Sequence, residues 1–307
     1  MKPINRREFC VKSLQVGAGI FGIAHAAPWL VTANTTVSIA SNEIAVVKNG
    51  TPGQMVRKAV EALGGMSRFV QKGQKVVVKP NIGWDRKPEQ AANTNPEIVA
   101  EVVKMCFVAG AAQVTVFDRA CNVERRTYRN SGIKKAASEA GATVRYMMPQ
   151  RFRQIEIPHG EIIKSWEIYQ DVLDADVLVN LPVAKHHSMC QASMSMKNLM
   201  GVLGGDRGQI HTRFAEKICD INSVIKPQLN ILDGYRILRR NGPQGGNLAD
   251  VEVKKTVIAG INAVSVDAFG ATLFGLKAEA IEYLSVARQR GLGEIDLKNL
   301  AIKQIEI

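Results

Sequence analysis

Short β-branched apolar runs alternate with amphipathic stretches along the chain, and this alternation constrains the fold more than any other feature. Lys75–Lys79, Gln113–Phe117 and Asp176–Asn180 have the length and composition of buried strands. Pro96–Ala109, between two of them, has apolar residues at helical spacing. Strands that alternate with helices build a mostly parallel sheet. We therefore predict an α/β fold, with a mostly parallel open sheet flanked by helices in Rossmann-like layers.

The helix that starts at Pro96 also has boundary signals. Asn95 is a favourable N-cap, Pro96 suits a first helical turn, and Gly110 is placed to end the helix. The other predicted strands are Ile44–Val47, Thr143–Tyr146, Leu229–Leu232 and Thr256–Ala259. The other predicted helices are Gly53–Leu63, Ile133–Ala140, Arg213–Ile225, Val264–Phe274 and Glu279–Arg290.

Longer connections interrupt this pattern in three places, and loops of such length are usually functional or disordered. They are Asn81–Asn95, His186–Asp206 and Arg239–Asp250. The stretch Pro149–Ile168 mixes polar residues with short β-like pieces. It is either a boundary between two subdomains or an insertion within one domain.

The N-terminus has the features of a twin-arginine (Tat) export signal. Arg6 and Arg7 precede Phe9, an uncharged run from Ser13 to Ala24, and a small-residue site ending at Ala26. The alternatives are a basic pair before a general secretion signal or before a membrane anchor, but the run is shorter than the ~20 residues of a spanning helix. Whether the signal is cleaved or kept stays open.

This signal sets the predicted domain boundaries and location. We predict a signal at 1–26, a linker at 27–43, a folded domain at 44–295 and a C-terminal strand or tail at 296–307. The protein would fold in the cytoplasm, engage the Tat translocase transiently, and work in the periplasm or another extracytoplasmic space.

Charge and cysteine content restrict the ligands. The net charge of +12 is spread along the chain without a long Lys/Arg run or interleaved aromatics, which favours a small anion or an anionic membrane surface over nucleic acid. The four cysteines beyond the signal show no C-x-x-C spacing, so no iron-sulfur cluster motif is present and the cofactor stays unknown.

Polar residues recur where the predicted strands end. In open α/β sheets this carboxyl edge forms the ligand crevice, so we expect a shared site there. The candidate catalytic residues, which would move a proton, are His187, Asp118 and Asp233. The candidate ligand-binding residues are Lys79, Asn81, Lys185, Lys197, Asn198, Gly201, Gly242 and Asp267. Lysine and backbone amides suit phosphate or carboxylate. The glycine spacing matches neither a Walker loop nor a dinucleotide fingerprint.

Several of these residues have competing interpretations. His186 and His187 would point to opposite faces of an extended chain, so one of them is structural. One histidine with Asp118 or Asp233 is an alternative metal site, and the metal stays unknown. Asp267 lies in an otherwise apolar stretch and needs a buried partner, for which a lysine across the site is one candidate.

The order of these motifs resembles the prokaryotic family catalogued as domain of unknown function 362, over about four fifths of the chain. The matching residues include Lys79-Pro80-Asn81, Asp118, Lys185 with His187, Lys197-Asn198-Leu199-Met200-Gly201, Asp233-Gly234, Gly242-Pro243, Asp267 and Gly291-Leu292-Gly293. The resemblance selects His187 from the histidine pair and assigns the 44–295 domain to this family. It implies no general activity. Some members carry a fused iron-sulfur module, but this chain lacks its cysteines.

Two functions fit these observations. The first is an exported enzyme that binds a small anionic substrate, phosphate or carboxylate, through the lysines and Asn198. The second is a non-catalytic cofactor-binding or maturation partner of an exported redox enzyme. The first function predicts one cleft in which the lysines, His187, Asp118 and Asp233 lie within hydrogen-bonding reach of one ligand, and it requires Lys79 and Lys185 to lie on the same face of the sheet. In the second function the same residues would bind a cofactor or metal without turning it over.

Overall fold

The computed structural model describes residues 42–307. The predicted signal and all but the last two residues of the predicted linker lie outside the described residues. The strands are β1 (Glu43–Lys48), β2 (Lys75–Pro80), β3 (Gln113–Val116), β4 (Thr143–Val144), β5 (Phe152–Glu156), β6 (Ser165–Tyr169), β7 (Val177–Leu181), β8 (Val183–His187), β9 (Gln191–Ser193), β10 (Leu229–Leu238), β11 (Val251–Gly260) and β12 (Ala301–Glu306).

Helices occupy most of the connections. They are α1 (Pro52–Ala62), α2 (Pro96–Val108), α3 (Glu124–Asn130), α4 (Ile133–Glu139), α5 (Gln170–Leu173), α6 (Ser195–Asn198), α7 (Phe214–Val224), α8 (Ala263–Ala271) and α9 (Glu282–Gln289). All six predicted helices are present with ends shifted by a few residues.

The central sheet runs in the order β12-β1-β11-β10-β7-β2-β3-β4. Only β11 is antiparallel to its neighbours along this path; every other pair is parallel. The predicted α/β class is therefore confirmed. β12 pairs with β1, so the C-terminal residues form an edge strand.

Side-chain alternation in β1 defines two cores. Ile44 and Val46 pack with residues of α7, α8 and α9, whereas Ala45 and Val47 pack with residues of α1, α2 and α4. Successive strand residues point to opposite faces. The sheet is thus covered by helices on both faces, which explains why its strands are near-continuous apolar runs.

The signals around Pro96 act as predicted. Asn95 caps α2, since its side-chain oxygen accepts from the Glu97 amide at 3.0 Å. Gly110 follows the helix with a φ of 99°, a conformation that favours glycine.

Two stretches contain more regular structure than the sequence indicated. The Pro149–Ile168 stretch contains β5 and most of β6, which pair as a separate antiparallel sheet and pack on the main core through Ile168 and Tyr169. The predicted His186–Asp206 connection contains β9 and α6. β8 follows β7 after one residue. β7 pairs with the start of β10 and β8 pairs with its second half, so the side chains of β8 lie beyond the end of β7.

One buried carboxylate joins the helical layer to the β5–β6 connection. Asp220 of α7 is fully buried and accepts the backbone amides of Glu161, Ile162 and Ile163 at 2.8, 2.9 and 2.8 Å. It also pairs with Arg290 at 2.7 Å. This carboxylate therefore satisfies three backbone donors and one guanidinium.

We expect Asp220→Ala to lower the free energy of unfolding by about 3 to 5 kcal/mol, because it leaves three backbone amides without their acceptor and removes the buried partner of Arg290, which keeps only Glu161 as a carboxylate partner. Urea denaturation measures the change. Glu216→Ala on the same helix removes the Arg213–Glu216 pair, whose side chains are 61% and 26% exposed, and should cost less than about 1 kcal/mol. Equal losses in the two variants would contradict the role given to Asp220.

Candidate functional site

A buried ion pair lies where β2 and β3 end side by side. Lys79 Nζ is 2.8 Å from Asp118 Oδ1, and the two side chains are 0% and 2% exposed. Asp118 Oδ2 accepts the Ile82 amide at 2.6 Å, and Lys79 Nζ also donates to Asn198 Oδ1 at 2.9 Å. Burial lowers the pKa of Lys79, and the Asp118 carboxylate opposes that shift. The pair joins the two strand ends to α6.

Gly201 is required by this ion pair. A Cβ atom at this position would lie 1.8 Å from Asp118 Oδ1 and 2.5 Å from Lys79 Nζ. The backbone of residue 201 therefore covers the buried charges at a distance that no side chain allows. Its carbonyl also accepts the Arg119 amide at 2.9 Å.

A chain of side-chain amides runs from the ion pair to Lys185. Asn198 Nδ2 donates to Asn180 Oδ1 at 2.8 Å, so Asn198 Oδ1 is the acceptor for both Lys79 and Asn81 Nδ2, the latter at 3.0 Å. The remaining oxygen of Asn81 accepts Lys185 Nζ at 2.9 Å. Lys185 Nζ also donates to the Ala92 carbonyl at 2.7 Å. Burial lowers the pKa of Lys185 to about 7.

Lys197 occupies a different environment. Its Nζ lies 3.0 Å from His211 Nε2, 3.3 Å from Met200 Sδ and 4.7 Å from the centre of the Phe214 ring. His211 Nδ1 faces the Gly208 carbonyl at 3.1 Å, which assigns the ring proton to Nδ1 and leaves Nε2 to accept from Lys197. Burial lowers the pKa of Lys197 to about 8.

His187 stacks on His211 with ring centres 5.6 Å apart. Its Nδ1 accepts the Met189 amide at 3.2 Å. Burial, reinforced by the charge of Lys197, lowers the pKa of His187 to about 3. The ring is therefore neutral at physiological pH, with its proton on Nε2, and is a hydrogen-bond donor at that atom.

Two arginines contribute further positive charge. Arg207 donates to the backbone carbonyls of Arg119 and Ala120 at 2.8 and 3.2 Å, and to Cys121 Sγ at 3.3 Å. Arg119 donates to the carbonyls of Leu203 and Gly205 at 2.8 and 3.0 Å. Both guanidiniums thus hold backbone in place beside the lysines.

These groups surround a cavity of about 420 Å³. Seven of the eleven predicted site residues line it: Asn81, Asp118, Lys185, His187, Lys197, Asn198 and Gly201. Four of the lining side chains are cationic: Lys185, Lys197, Arg119 and Arg207. The lining carboxylate is that of Asp118, which is paired with Lys79. Lys79 lies directly behind the wall. Lys79 and Lys185 are linked through Asn198 and Asn81 at the same sheet edge, but the predicted cleft does not include Lys79.

Three other predicted residues, Asp233, Gly242 and Asp267, do not line this cavity. Asp233 accepts the amides of Asn95 and Tyr235, at 2.8 and 3.0 Å, and so fixes the start of α2. Burial raises its pKa to about 6. Gly242 packs on the backbone of His186, where a Cβ would lie 2.0 Å from the His186 carbonyl oxygen. The next residue, Pro243, does line the cavity.

Asp267 has partners other than the lysine considered from sequence. Its two carboxylate oxygens accept the amides of Ser195 and Met196 at 2.6 and 2.9 Å. Burial raises its pKa to about 7. Asp267 therefore holds the first turn of α6, the element that carries Lys197 and Asn198.

His211 was not predicted as a site residue, whereas Arg207 belongs with Lys185, His187 and Lys197 to the cationic stretch that suits an anion, and Arg119 is among the polar residues that follow the strands. Arg119 directly follows Asp118, and Arg207 and His211 begin and end one short 3-10 helix, Arg207–His211. Their positions near predicted residues were visible in the sequence. Their direction was not, because it depends on how that short helix packs.

Within residues 42–307, no three His, Cys, Asp or Glu side chains gather as metal ligands. No helix in this range combines the length and apolarity that crossing a bilayer requires.

Fold and cavity together define an α/β protein with a cationic small-molecule cavity at the carboxyl edge of its parallel strands. The chain belongs to the family described as Domain of unknown function (DUF362), whose model matches residues 76–272. The resemblance noted from the sequence motifs is therefore confirmed.

One similar protein matches this chain in sequence and another matches it in structure. The chain is 28% identical to a Synechocystis sp. protein named as thylakoid-associated, over 222 residues that cover 70% of this chain and 65% of the relative. It thus spans somewhat less than two thirds of that relative. The lactate racemase apoprotein from Thermoanaerobacterium thermosaccharolyticum matches with a TM-score of 0.45 and 12% identity, over 74% of this chain and 56% of that one. This likeness is too distant to bear on function.

We expect Gly201→Ala to destabilise the protein by at least about 2 kcal/mol, because the added methyl group displaces the Lys79–Asp118 pair or the backbone that covers it. Thermal and urea denaturation measure the loss. Gly53→Ala in α1, where the nearest atoms lie 3.9 Å from the added Cβ, should be neutral or slightly stabilising. A Gly201→Ala variant as stable as wild type would refute the packing described here.

Proposed function

We propose that this protein binds a small anion, with a carboxylate or phosphate group, in the cavity at the carboxyl edge of the sheet. The observation that carries the proposal is that two buried lysines have no carboxylate partner. Lys185 and Lys197 are 2% and 8% exposed, and their Nζ atoms contact only neutral acceptors. Among the residues that the structure describes, neither forms an ion pair with a carboxylate.

An anion would supply the missing counter-charge. A buried charge is costly unless it is paired, and these lysines respond to burial through lowered pKa values. A bound anion would favour their charged forms and gain charge-assisted hydrogen bonds. The His187 Nε2–H and the neighbouring arginines add donors and positive potential. The cavity volume of about 420 Å³ suits a small molecule.

The protein would meet this ligand outside the cytoplasm. The Arg6-Arg7 motif and the uncharged run after it support export in folded form. The Synechocystis sp. relative is named as thylakoid-associated, which agrees with an extracytoplasmic or membrane-associated location. Of the two functions considered from sequence, the cavity favours an enzyme over a maturation partner, because Lys185 has the low pKa of a group that reacts or transfers a proton.

Binding of sulfate, which does not itself titrate near neutral pH, tests the anion site. Because a bound anion raises the pKa of Lys185 from about 7 and of Lys197 from about 8, the protein should take up about one proton on binding at pH 8 and little at pH 6. Affinity should fall as the pH rises through this range. Calorimetry in buffers of different ionisation enthalpy measures both quantities.

Lys197→Met should weaken sulfate binding by roughly tenfold or more, since one charge-assisted hydrogen bond is lost. Lys104→Met, on the exposed face of α2, is the matched control and should bind like wild type. Sulfate binding that is equally weak in all three proteins, or that releases protons, would refute the proposed site.

Export is tested separately in a bacterial host with a Tat pathway. The full chain should reach the extracytoplasmic fraction, and Arg6→Lys with Arg7→Lys should hold it in the cytoplasm, because the pathway reads the arginine pair. Fractionation followed by immunoblotting gives the distribution. A double variant exported as efficiently as the original chain would exclude this route.

A further inference from the structure

The Nζ atom of Lys185 has two hydrogen-bond acceptors, which leaves one of its tetrahedral positions without a partner among the described residues. The acceptors are Asn81 Oδ1 at 2.9 Å and the Ala92 carbonyl at 2.7 Å. These accept the two N–H groups of a neutral amine. The remaining position holds a third proton in the ammonium form and a lone pair in the amine form. Lys185 lines the cavity, which supplies the space next to it.

The side-chain amide of Asn81 can face Lys185 in only one orientation. Asn198 Nδ2 donates to Asn180, so Asn198 Oδ1 must accept from Asn81 Nδ2. This leaves Asn81 Oδ1, and not its NH₂ group, facing Lys185. The nitrogen is therefore held by a rigid, buried network, in contrast to the freely rotating ammonium of a surface lysine.

The two other buried lysines near the cavity lack this combination. Lys79 is paired with Asp118 at 2.8 Å and does not line the cavity. Lys197 lies 4.7 Å from the centre of the Phe214 ring, whose face stabilises a cation. Lys197 therefore suits the anion, and Lys185 is the group available for covalent chemistry.

We propose that Lys185 Nζ forms an imine with the carbonyl carbon of a small oxo acid whose anionic group is held beside Lys197. This deepens the proposed function and rests on it. A carbonyl compound with an anionic group fits the cavity because the site offers an amine and a cation as separate groups. The burial that lowers the pKa of Lys185 to about 7 leaves about half of it as amine at pH 7.

The reaction balances without an oxidant or reductant. The Nζ lone pair attacks the carbonyl carbon, a C–N bond forms, and a proton moves from nitrogen to the oxygen to give a carbinolamine. The Lys197 ammonium then protonates the hydroxyl group, which leaves as water while the nitrogen lone pair forms C=N. The iminium proton returns to Lys197. The neutral His187, with its proton on Nε2, is a donor for the carbonyl oxygen during attack.

Reductive trapping on the full-length protein tests this step. The protein is incubated with pyruvate and sodium cyanoborohydride at several pH values, and adducts are located by peptide mass spectrometry. We expect a saturable adduct at Lys185 that forms at least about tenfold faster at pH 7 than at an exposed lysine, since a lysine of ordinary pKa has far less amine. Sulfate should slow trapping by competing for the anion position.

Matched variants and a second probe sharpen the result. Lys185→Arg puts a permanent cation in place of the nucleophile and should lose the adduct, whereas Lys104→Met should keep it. Pyridoxal 5′-phosphate in place of pyruvate distinguishes a phosphate-bearing aldehyde from an oxo carboxylate, and the faster saturable adduct identifies the preferred class. Because wild type is mapped directly, the test does not depend on the folding of the Lys185 variant.

Each other outcome decides against the proposal. Adducts spread over exposed lysines in proportion to probe concentration, or concentrated on Lys197, overturn the role of Lys185. Wild-type protein that binds sulfate but yields no adduct with either probe refutes the imine and leaves the anion site intact. Protein that neither binds sulfate nor forms an adduct refutes both proposals.

Discussion

The buried ion pair between Lys79 and Asp118 is the interaction on which the site depends. Two opposite charges 2.8 Å apart without solvent are stable only when their remaining hydrogen-bonding capacity is used. Asn198 and the Ile82 amide use part of it, and these contacts bring α6 and the connection after β2 to the same point. Gly201 then closes over the pair. The cavity wall is consequently assembled around a charge pair of which Asp118 lines the cavity and Lys79 lies behind the wall.

A series of hydrogen-bonded asparagine side chains links this ion pair to the cavity and fixes the orientation of Lys185. Asn230 Oδ1 accepts Asn180 Nδ2 at 2.9 Å, and the series continues through Asn198 and Asn81 to Lys185. Every amide has one oxygen and one NH₂ group, so fixing one end of the series fixes the direction of every member. Buried networks of this kind specify one arrangement only when all members are satisfied. The position of Lys185 therefore depends on residues of β10, β7, α6 and the connection after β2.

The sequence predicted the sheet better than it predicted the site. Strands such as β2 and β7 are buried on both faces, so each is a continuous apolar run that can be recognised without knowledge of its neighbours. The strand-end rule then placed Lys79, Asn81, Asp118 and Lys185 together. It could not separate side chains in the wall from those behind it. Asp267 has the same buried, polar character as Asp118, yet it accepts the first amides of α6 and does not line the cavity.

The elements that sequence missed are those whose conformation comes from tertiary contacts. β8 contains lysine and two histidines, which interrupt an apolar pattern, and it is a strand because it pairs with β10 and β9. α6 is a single turn that Asp267 holds at its start, and short helices of this kind have little intrinsic stability. His186 and His187 do follow the period of two: His187 lines the cavity, and His186 Nδ1 accepts the Gly242 amide at 3.2 Å.

The placement of charge also argues for a small anion over a polyanion. Nucleic acids are bound by cations on exposed, extended surfaces, where each phosphate meets a solvated side chain. Here Lys185 and Lys197 are buried in a concave site, and only a ligand that enters the cavity can reach them. If the proposed anion binds there, part of the charge on Lys185, whose pKa burial lowers to about 7, would develop only on binding. Size and charge of the ligand would then be selected in the same step.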